Sequence, residues 1–378
     1  MKKILFRKLL IDCLVFFLIT LISASIIIWV FQAVNFLDIM IEDGRSYKVY
    51  ISYAILNFPK IISKILPFSL FFSFCYILAK YEINNELIVF WNNGVDKLTL
   101  INFFLKFSII ITLFQILLTT FVVPKSQELG RTFIRTSNID FLDSFIKPQK
   151  FNDTIKNLTI YADKKDKNGN LENIYLKKGD ENNFQITYAK RGKFKIKENA
   201  KILALENGQT INGLNNKITN FKFSKFDLNL SNISSNTITT FKTQELSSKN
   251  LFYCAKNLEK VKDEKDKIEN FTTLNCNLRN LNNVYKELYK RLIIPSYLPI
   301  LVVISLILII RSKESTNYLN FRIIVFLFGL VIIIFSETSI KLISEELFKN
   351  YKLFFMPVLI FLIIYSIIFY KLRLKFKR

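Results

Sequence analysis

Residues Leu9–Phe31 read LLIDCLVFFLITLISASIIIWVF, an apolar run interrupted by a single charge at Asp12. About 20 predominantly apolar residues suffice for a helix to cross a bilayer. The run is too long for the apolar part of a leader, and no small-residue cleavage site stands out before Gln32. It therefore reads as a membrane span and not only as a cleavable signal. Five further runs follow: Ile61–Ala79, Leu98–Val123, Leu292–Ile310, Phe321–Phe335 and Leu353–Tyr370. The second and fifth of the six are short, and each is expected to continue into its polar flank.

Composition agrees with a chain divided between lipid and water. The 378 residues are 51% hydrophobic and 15% aromatic, yet carry a formal net charge of +23, and both fit one chain only if apolar and charged parts are segregated. Histidine is absent, which excludes histidine triads, imidazole zinc sites and a histidine general base. Cys13, Cys75, Cys254 and Cys276 form no CxxC pair, and no G-x-x-x-x-G-K-[ST] occurs. A zinc ribbon, a thioredoxin-like redox motif and a recognisable P-loop are thereby excluded. Any nucleotide-driven work needs a separate subunit.

Charge predicts the orientation. Lys2, Lys3, Arg7 and Lys8 flank the first span, and Lys371, Arg373, Lys375, Lys377 and Arg378 follow the last. Arg311, Lys313 and Arg322 surround the connection after the fourth, whereas the loop after the first is acidic (Asp38, Glu42 and Asp43 against Arg45 and Lys48). Basic short loops stay cytoplasmic, so both termini are expected inside and the long insert Pro124–Arg291 outside. That insert holds 31 Lys+Arg against 19 Asp+Glu. The excess reads either as a solubilising lysine bias or as attraction to phosphate-bearing lipid.

Within the insert, short alternating runs and turns continue to about Leu230. They include Leu158–Ala162, Asn173–Lys177, Phe184–Lys190, Lys193–Lys197 and Ala200–Leu205. Asn207-Gly208 is the pair a type I′ hairpin favours. The alternation Phe221, Phe223, Phe226, Leu228, Leu230 slips once at Ser224-Lys225, which predicts a bulge. A sandwich, jelly roll or open barrel would hold such strands. Leu251–Arg291, free of glycine and proline, reads as helix. Cys254 and Cys276 lie in it, as a disulfide or as two thiols.

The loop between spans two and three reads Lys80-Tyr-Glu-Ile-Asn-Asn-Glu-Leu-Ile-Val-Phe-Trp-Asn-Asn-Gly94. Leu87, Phe90 and Trp91 make one apolar helix face, Gly94 stands where a C-cap belongs, and Glu82 and Glu86 are four apart, the spacing of one helix face. Such an acidic amphipathic helix docks in a groove on an ATPase or rests on the membrane surface, where basic residues are the rule. In span two, Lys60 and Lys64 share a face between Pro59 and Pro67. They snorkel, or line a cavity where lipid phosphate is met. Asp12 and Glu337 lie near span ends with no obvious partner. Glu287 and Arg291 are spaced to pair on a helix entering span four, ahead of Pro295.

These residues resemble the lipopolysaccharide-export permeases LptF and LptG. The resemblance rests on the order three spans, insert, three spans, and on three segments: Ile-Leu-Pro-Phe-Ser-Leu-Phe at Ile65–Phe71, Asn85-Glu-Leu-Ile-Val-Phe-Trp-Asn-Asn-Gly94, and Glu-x-x-x-Arg-x-x-x-Pro from Glu287 to Pro295. The wording of span two favours the LptF branch. The resemblance implies an α-helical membrane protein with an all-β insert: six transmembrane helices (3+3) and an external β-jelly roll between the third and fourth. The expected divisions are 1–123 with a coupling helix near 82–94, a periplasmic jelly roll over 124–245, a helical connection over 246–291, and the last three spans with a basic tail over 292–378.

The resemblance further implies a transport permease in the bacterial inner membrane and not an enzyme. It would extract lipopolysaccharide and hand it to a periplasmic jelly-roll bridge. The implied partners are a second permease of the family in a pseudo-symmetric pair, a dimeric LptB-like cytoplasmic ATPase and an LptC-like single-span protein. Nucleic acid is not among them. No cofactor is expected on this chain, and ATP and magnesium belong to the ATPase. Glu86 would be the coupling acid, with Glu82, Leu87, Phe90 and Gly94 shaping its helix. Gln32, Lys60 and Lys64 are candidates for the substrate cavity. Tyr161, Tyr175, Phe184, Tyr188, Phe221 and Phe223 are candidates for an acyl-chain groove, although each fits a core position as well.

Two departures stand out. Gln32–Asp38 has no basic residue where family members often meet lipid phosphates, and Trp91-Asn92-Asn93 replaces smaller or basic residues. Competing readings are a membrane-bound enzyme of envelope synthesis and a passive scaffold. The first needs clustered carboxylates that are not apparent, and the second leaves six spans and an acidic helix without purpose.

Overall fold

The computed structural model describes residues 2–41, 47–136, 146, 148–155, 158–166, 169–179, 183–197, 200–214, 217–229, 242–263, 276, 280–344 and 347–375. Two compact units result. One comprises Met1–Phe31, Leu56–Leu129 and Thr240–Arg378, and the other Gln32–Ile55 and Gly130–Thr239. Parts of the acidic loop after the first span, at 42–46, fall outside the described residues.

The helices in chain order are α1 (Lys2–Ile41), α2 (Tyr47–Leu56), α3 (Phe58–Ile83), α4 (Glu86–Asn92), α5 (Lys97–Leu117), α6 (Val123–Thr136), α7 (Ser248–Asp263), α8 (Leu281–Leu292), α9 (Leu298–Leu306), α10 (Tyr318–Thr338) and α11 (Leu347–Lys375). Six helical stretches among the described residues are long and apolar enough to cross a membrane: Lys3–Leu37, Tyr47–Ile83, Lys97–Ile134, Leu281–Ile310, Tyr318–Leu342 and Asn350–Arg373. They coincide with the six runs, and the second and fifth do extend into their flanks.

The fourth stretch is the centre of the bundle. Every residue of α9 except Pro299 is buried, as expected of a helix apolar on all sides. Leu298, Leu301 and Leu306 join Leu66, Leu70 and Phe74 of α3 and Leu100, Ile101 and Phe104 of α5 in one core. By contrast α1, α10 and α11 expose long rows such as Ile19, Ile22 and Ile26, or Ile323, Leu327 and Val331. Such rows face lipid or another subunit.

Prolines inside these spans leave carbonyls without their helical donor, because proline has no N–H. Three of them, Pro67, Pro124 and Pro295, are answered from another segment. Pro67 orphans the Ser63 carbonyl, which accepts from Gln115 Nε2 at 2.7 Å. Pro124 follows a π-helical turn at Leu118–Val122, and the Thr120 carbonyl accepts from Ser248 Oγ at 2.8 Å. Pro295 orphans the Arg291 carbonyl, which accepts from Thr119 Oγ1 at 2.9 Å. Asp12, expected to stand alone, accepts a hydrogen bond from the Tyr81 hydroxyl.

A smaller core gathers Leu246, Leu251, Cys254, Cys276, Val284, Tyr285, Leu288 and Ile343. Cys254 and Cys276 are joined as a disulfide. Arg291 is 2% exposed. It donates to Glu287 Oε1 (3.0 Å), the Leu246 carbonyl (2.9 Å), Ser248 Oγ (3.0 Å) and the Gln244 carbonyl (3.0 Å). The pair with Glu287 anticipated from spacing is therefore one part of a clamp that fastens residues 244–248 to α8.

In the second unit, β1 (Asn152–Ile155), β2 (Leu158–Lys165), β3 (Asn170–Gly179), β4 (Asn183–Lys197), β5 (Ala200–Leu214) and β6 (Lys217–Asn229) form one antiparallel sheet in sequential order. Its buried face carries Ile160, Ala162, Ile174, Leu176, Ala189, Leu203 and Leu205. The expected strand breaks are corrected: Phe184–Lys190 and Lys193–Lys197 are one strand, and Asn207-Gly208 lies within β5 instead of turning a hairpin. Glycine is required at 208 by proximity, since a Cβ there would lie 2.2 Å from the Tyr188 carbonyl oxygen.

The slip anticipated at Ser224-Lys225 is the end of a crease. Ala162 pairs with Ile174, Ile174 with Ala189, Ala189 with Gly208 and Gly208 with Phe223. Two residues along, Lys164 pairs with Glu172, Glu172 with Arg191, Arg191 with Glu206 and Glu206 with Lys225. Between these rows Asp163, Asn173, Lys190, Asn207 and Ser224 stand opposite one another outside the ladder. Asn173 and Asn207 have φ of 51° and 53°. Buried positions shift phase across the line: Leu171 and Ile174 are both buried, three residues apart. A bulge in one strand alone would shift register. Because the strands slip at the same row, register is kept on both sides of it while the buried face changes phase. Beside it, Lys164, Glu172, Arg191, Glu206 and Lys225 alternate in sign across five strands, an arrangement that favours this register.

Candidate functional site

The sequence between spans two and three builds a separate short helix. Asn85 adopts φ 61°, a left-handed residue that ends α3 and starts α4. Glu82 and Glu86 consequently belong to different helices and do not share a face, contrary to the spacing argument. Glu82 is 8% exposed, and its Oε1 accepts the Lys313 N–H at 2.9 Å, while Lys313 Nζ donates to the Ile83 carbonyl. Glu82 thus ties α3 to the connection after span four.

Leu87 and Phe90 are buried in the bundle core, with Trp91 packed against it. The apolar face read from the sequence exists, and it faces inward. At the other end Val95 N–H donates to the Phe90 carbonyl and Gly94 N–H to that of Trp91, with Gly94 at φ 68° and Val95 buried. These are the paired bonds and apolar contact of a Schellman cap. A Cβ at Gly94 would meet nothing within 4 Å, so glycine is needed there for backbone conformation alone.

What α4 presents outward is Glu86, half-buried beside Asn84 Nδ2 (3.2 Å), together with Ile88 and Val89, 45% and 48% exposed. Sequence reading missed these two, because a helical period cannot say which of two apolar groups turns inward. Lys97 braces the arrangement. Its Nζ donates to the Ile309 carbonyl (2.9 Å) where span four ends, and lies 5.2 Å from the Trp91 ring centre.

Lys60 is half-buried and Lys64 exposed on α3. Lys64, Lys242, Lys290 and Glu287 all lie within electrostatic reach of Lys60. Lys60 therefore has three other lysines and one carboxylate around it, and that carboxylate is already engaged by Arg291. Lys242 and Lys290 are far away in sequence, and only the fold brings them there. Gln32 belongs to the other unit, on α1.

The six groove candidates divide between two faces. Tyr161, Tyr175 and Tyr188 are register partners in one row, on the face opposite Ala162 and Ile174. Phe151 packs on Tyr161 and Tyr175, with ring centres 4.9 and 6.3 Å away. Phe184 shares that face. Phe221 and Phe223 are on the buried face, Phe223 against the core and Phe221 59% exposed near the β6 edge. No single groove is lined by all six, since strand alternation sends them to opposite sides.

The description "Lipopolysaccharide export system permease LptF/LptG" matches this chain over residues 7–371. The chain belongs to the LptF/LptG permease family. It is also similar to the protein described as "Uncharacterized protein RP871" of Rickettsia prowazekii (strain Madrid E), 23% identical over 320 residues that cover 83% of this chain and 84% of that one. Membership in LptF/LptG makes this a multi-pass membrane permease of lipopolysaccharide export, and not an enzyme. The family description spans both LptF and LptG, so the branch favoured by span two is not decided by it.

Proposed function

We propose that the chain is one permease subunit of an ABC transporter in the bacterial inner membrane, with α4 as the surface on which a separate ATPase docks. The observation that carries this reading is the construction of α4: Leu87 and Phe90 fasten it to the bundle, and Glu86, Ile88 and Val89 are left outward. An acid beside exposed aliphatic groups suits a groove with an apolar floor and a basic rim. In this reading both termini and α4 are cytoplasmic, the sheet is periplasmic, and ATP and magnesium are held by the ATPase.

A second permease of the family completes a pseudo-symmetric pair. The cluster of Lys60, Lys64, Lys242 and Lys290, at the end of the bundle opposite α4, meets the phosphates of lipopolysaccharide. The sheet continues a jelly-roll bridge shared with an LptC-like protein, and the outer edge of β6, with 13 residues in the strand and no further strand beside it among the described residues, offers backbone for extending it.

Purification of the tagged chain from native membranes in mild detergent, with Glu86→Arg alongside, tests the proposal. Recovery of an ATPase and a second six-span permease, with less ATPase on the variant, supports it. A chain recovered alone or with biosynthetic enzymes removes the transporter reading. Equal recovery of the ATPase on both versions removes only the role of Glu86.

A further inference from the structure

On the α4 side of the bundle, α3 and α10 enclose a cleft of about 450 Å³. Its walls repeat one pattern on both helices. Along α3 the residues Lys80, Tyr76 and Phe72 succeed one another at four-residue steps into the bundle, and along α10 Arg322 is followed one turn deeper by Phe326. Residues four apart stack on one helix face, so each wall has a cation at the mouth and aromatic rings below it. Phe72 lies 6.4 Å from both Tyr76 and Phe326 between ring centres, which fixes the floor. Among the described residues no carboxylate lines the cleft or forms an ion pair with Lys80 or Arg322. Glu82, two residues beyond Lys80, is buried, accepts the Lys313 N–H and is not part of the lining.

We propose that this cleft binds an anionic phospholipid of the leaflet on the α4 side, with its phosphate between Lys80 and Arg322 and one acyl chain along Phe72, Tyr76 and Phe326. The polarity gradient along both walls is that of a lipid, charged at headgroup depth and apolar beneath. Two cations with no acid in the lining favour a net negative headgroup over a zwitterionic one, whose own cation would be repelled. Basic residues at a span end commonly snorkel, but here they converge from two helices on the mouth of one cavity. The inference requires that α3 and α10 span the membrane, and it holds whether or not an ATPase docks on α4.

The test uses the full chain with whatever subunits accompany it, by native mass spectrometry with added phosphatidylglycerol or phosphatidylcholine of matched chains. Phosphatidylglycerol should be retained preferentially, and K80Q/R322Q should reduce that retention roughly thirtyfold. Ile323→Trp, which fills the cleft and keeps both charges, should also lose it. An unchanged melting temperature and an intact Cys254–Cys276 bridge check the fold. Should the double variant not fold, K80Q alone should lose roughly fivefold. Equal retention of the two lipids, or unaltered preference in the variants, overturns the proposal. So does exclusion of phosphatidylglycerol whenever a second permease is bound, since a protein neighbour then fills the cleft.

Discussion

The Gln115 side chain on α5 donates to the Ser63 carbonyl on α3 at 2.7 Å, supplying the hydrogen bond that Pro67 denies its own helix. In hydrocarbon an unsatisfied backbone carbonyl costs several kcal/mol, so Pro67 is tolerable only with such a partner nearby. Gln115→Leu is nearly isosteric and removes the donor. It should destabilise the bundle by about 1–3 kcal/mol. The fall should appear as a lower unfolding midpoint in detergent, with Gln115→Asn and its shorter reach giving no rescue. A midpoint within error of the unsubstituted chain would mean that water or lipid carbonyl chemistry reaches Ser63.

Arg291 makes four hydrogen bonds while 2% exposed, and three of its partners lie in residues 244–248. Arg291→Met leaves Glu287 and two carbonyls without a donor, a change of roughly 3–5 kcal/mol. Loss of the clamp should free the chain before α7, seen as faster proteolysis near Gln244 and faster amide exchange across 244–250. Arg291→Lys should behave nearly as badly, because one ammonium cannot span the fork of partners. A protected segment 244–250 in Arg291→Met would show that the disulfide and small core hold it unaided.

The spans were legible because twenty-residue apolar runs follow from bilayer thickness, whatever the tertiary packing. Leu87, Phe90 and Gly94 were legible as a capped helix for the same local reason. The inward turn of that helix was not, since it depends on Asn85 adopting a left-handed conformation, which ends the i,i+4 relation of Glu82 to Glu86. Asn207-Gly208 carries the local chemistry of a turn and lies mid-strand, because Asn173 makes the same backbone excursion on β3 and neighbouring strands accommodate both. Lys242 and Lys290 joining Lys60 is a matter of long-range folding, to which no periodicity refers.

On α4 the structure separates residues that hold the helix from residues it displays, and substitutions should separate likewise. Ile88→Asp and Val89→Asp alter an exposed patch, with little effect on stability. Each should weaken ATPase co-purification at least tenfold if the patch is the floor of the docking contact. Leu87→Ala removes a side chain 1% exposed and should lower the unfolding midpoint by the equivalent of about 2–5 kcal/mol. Its ATPase deficit should be rescued at low temperature, whereas that of Ile88→Asp should persist. Identical temperature dependence in the two variants would erase the distinction.

The crease makes the last prediction. Asn207 at φ 53° occupies a region that costs a β-branched residue of order 1–3 kcal/mol, while glycine enters it freely. Asn207→Val restores strand chemistry at a position that β-propensity alone would favour, yet should destabilise the sheet. Asn207→Gly should be close to neutral. Because the row from Asp163 to Ser224 is shared, the damage should spread sideways: amide exchange should rise at Lys190 and Ser224 as much as along β5. Exchange confined to β5 would mean that each strand bulges independently and that the row is not a single fold line. A stabilised Asn207→Val would show that the strand prefers to be straight, and that the neighbouring strands do not hold it bent.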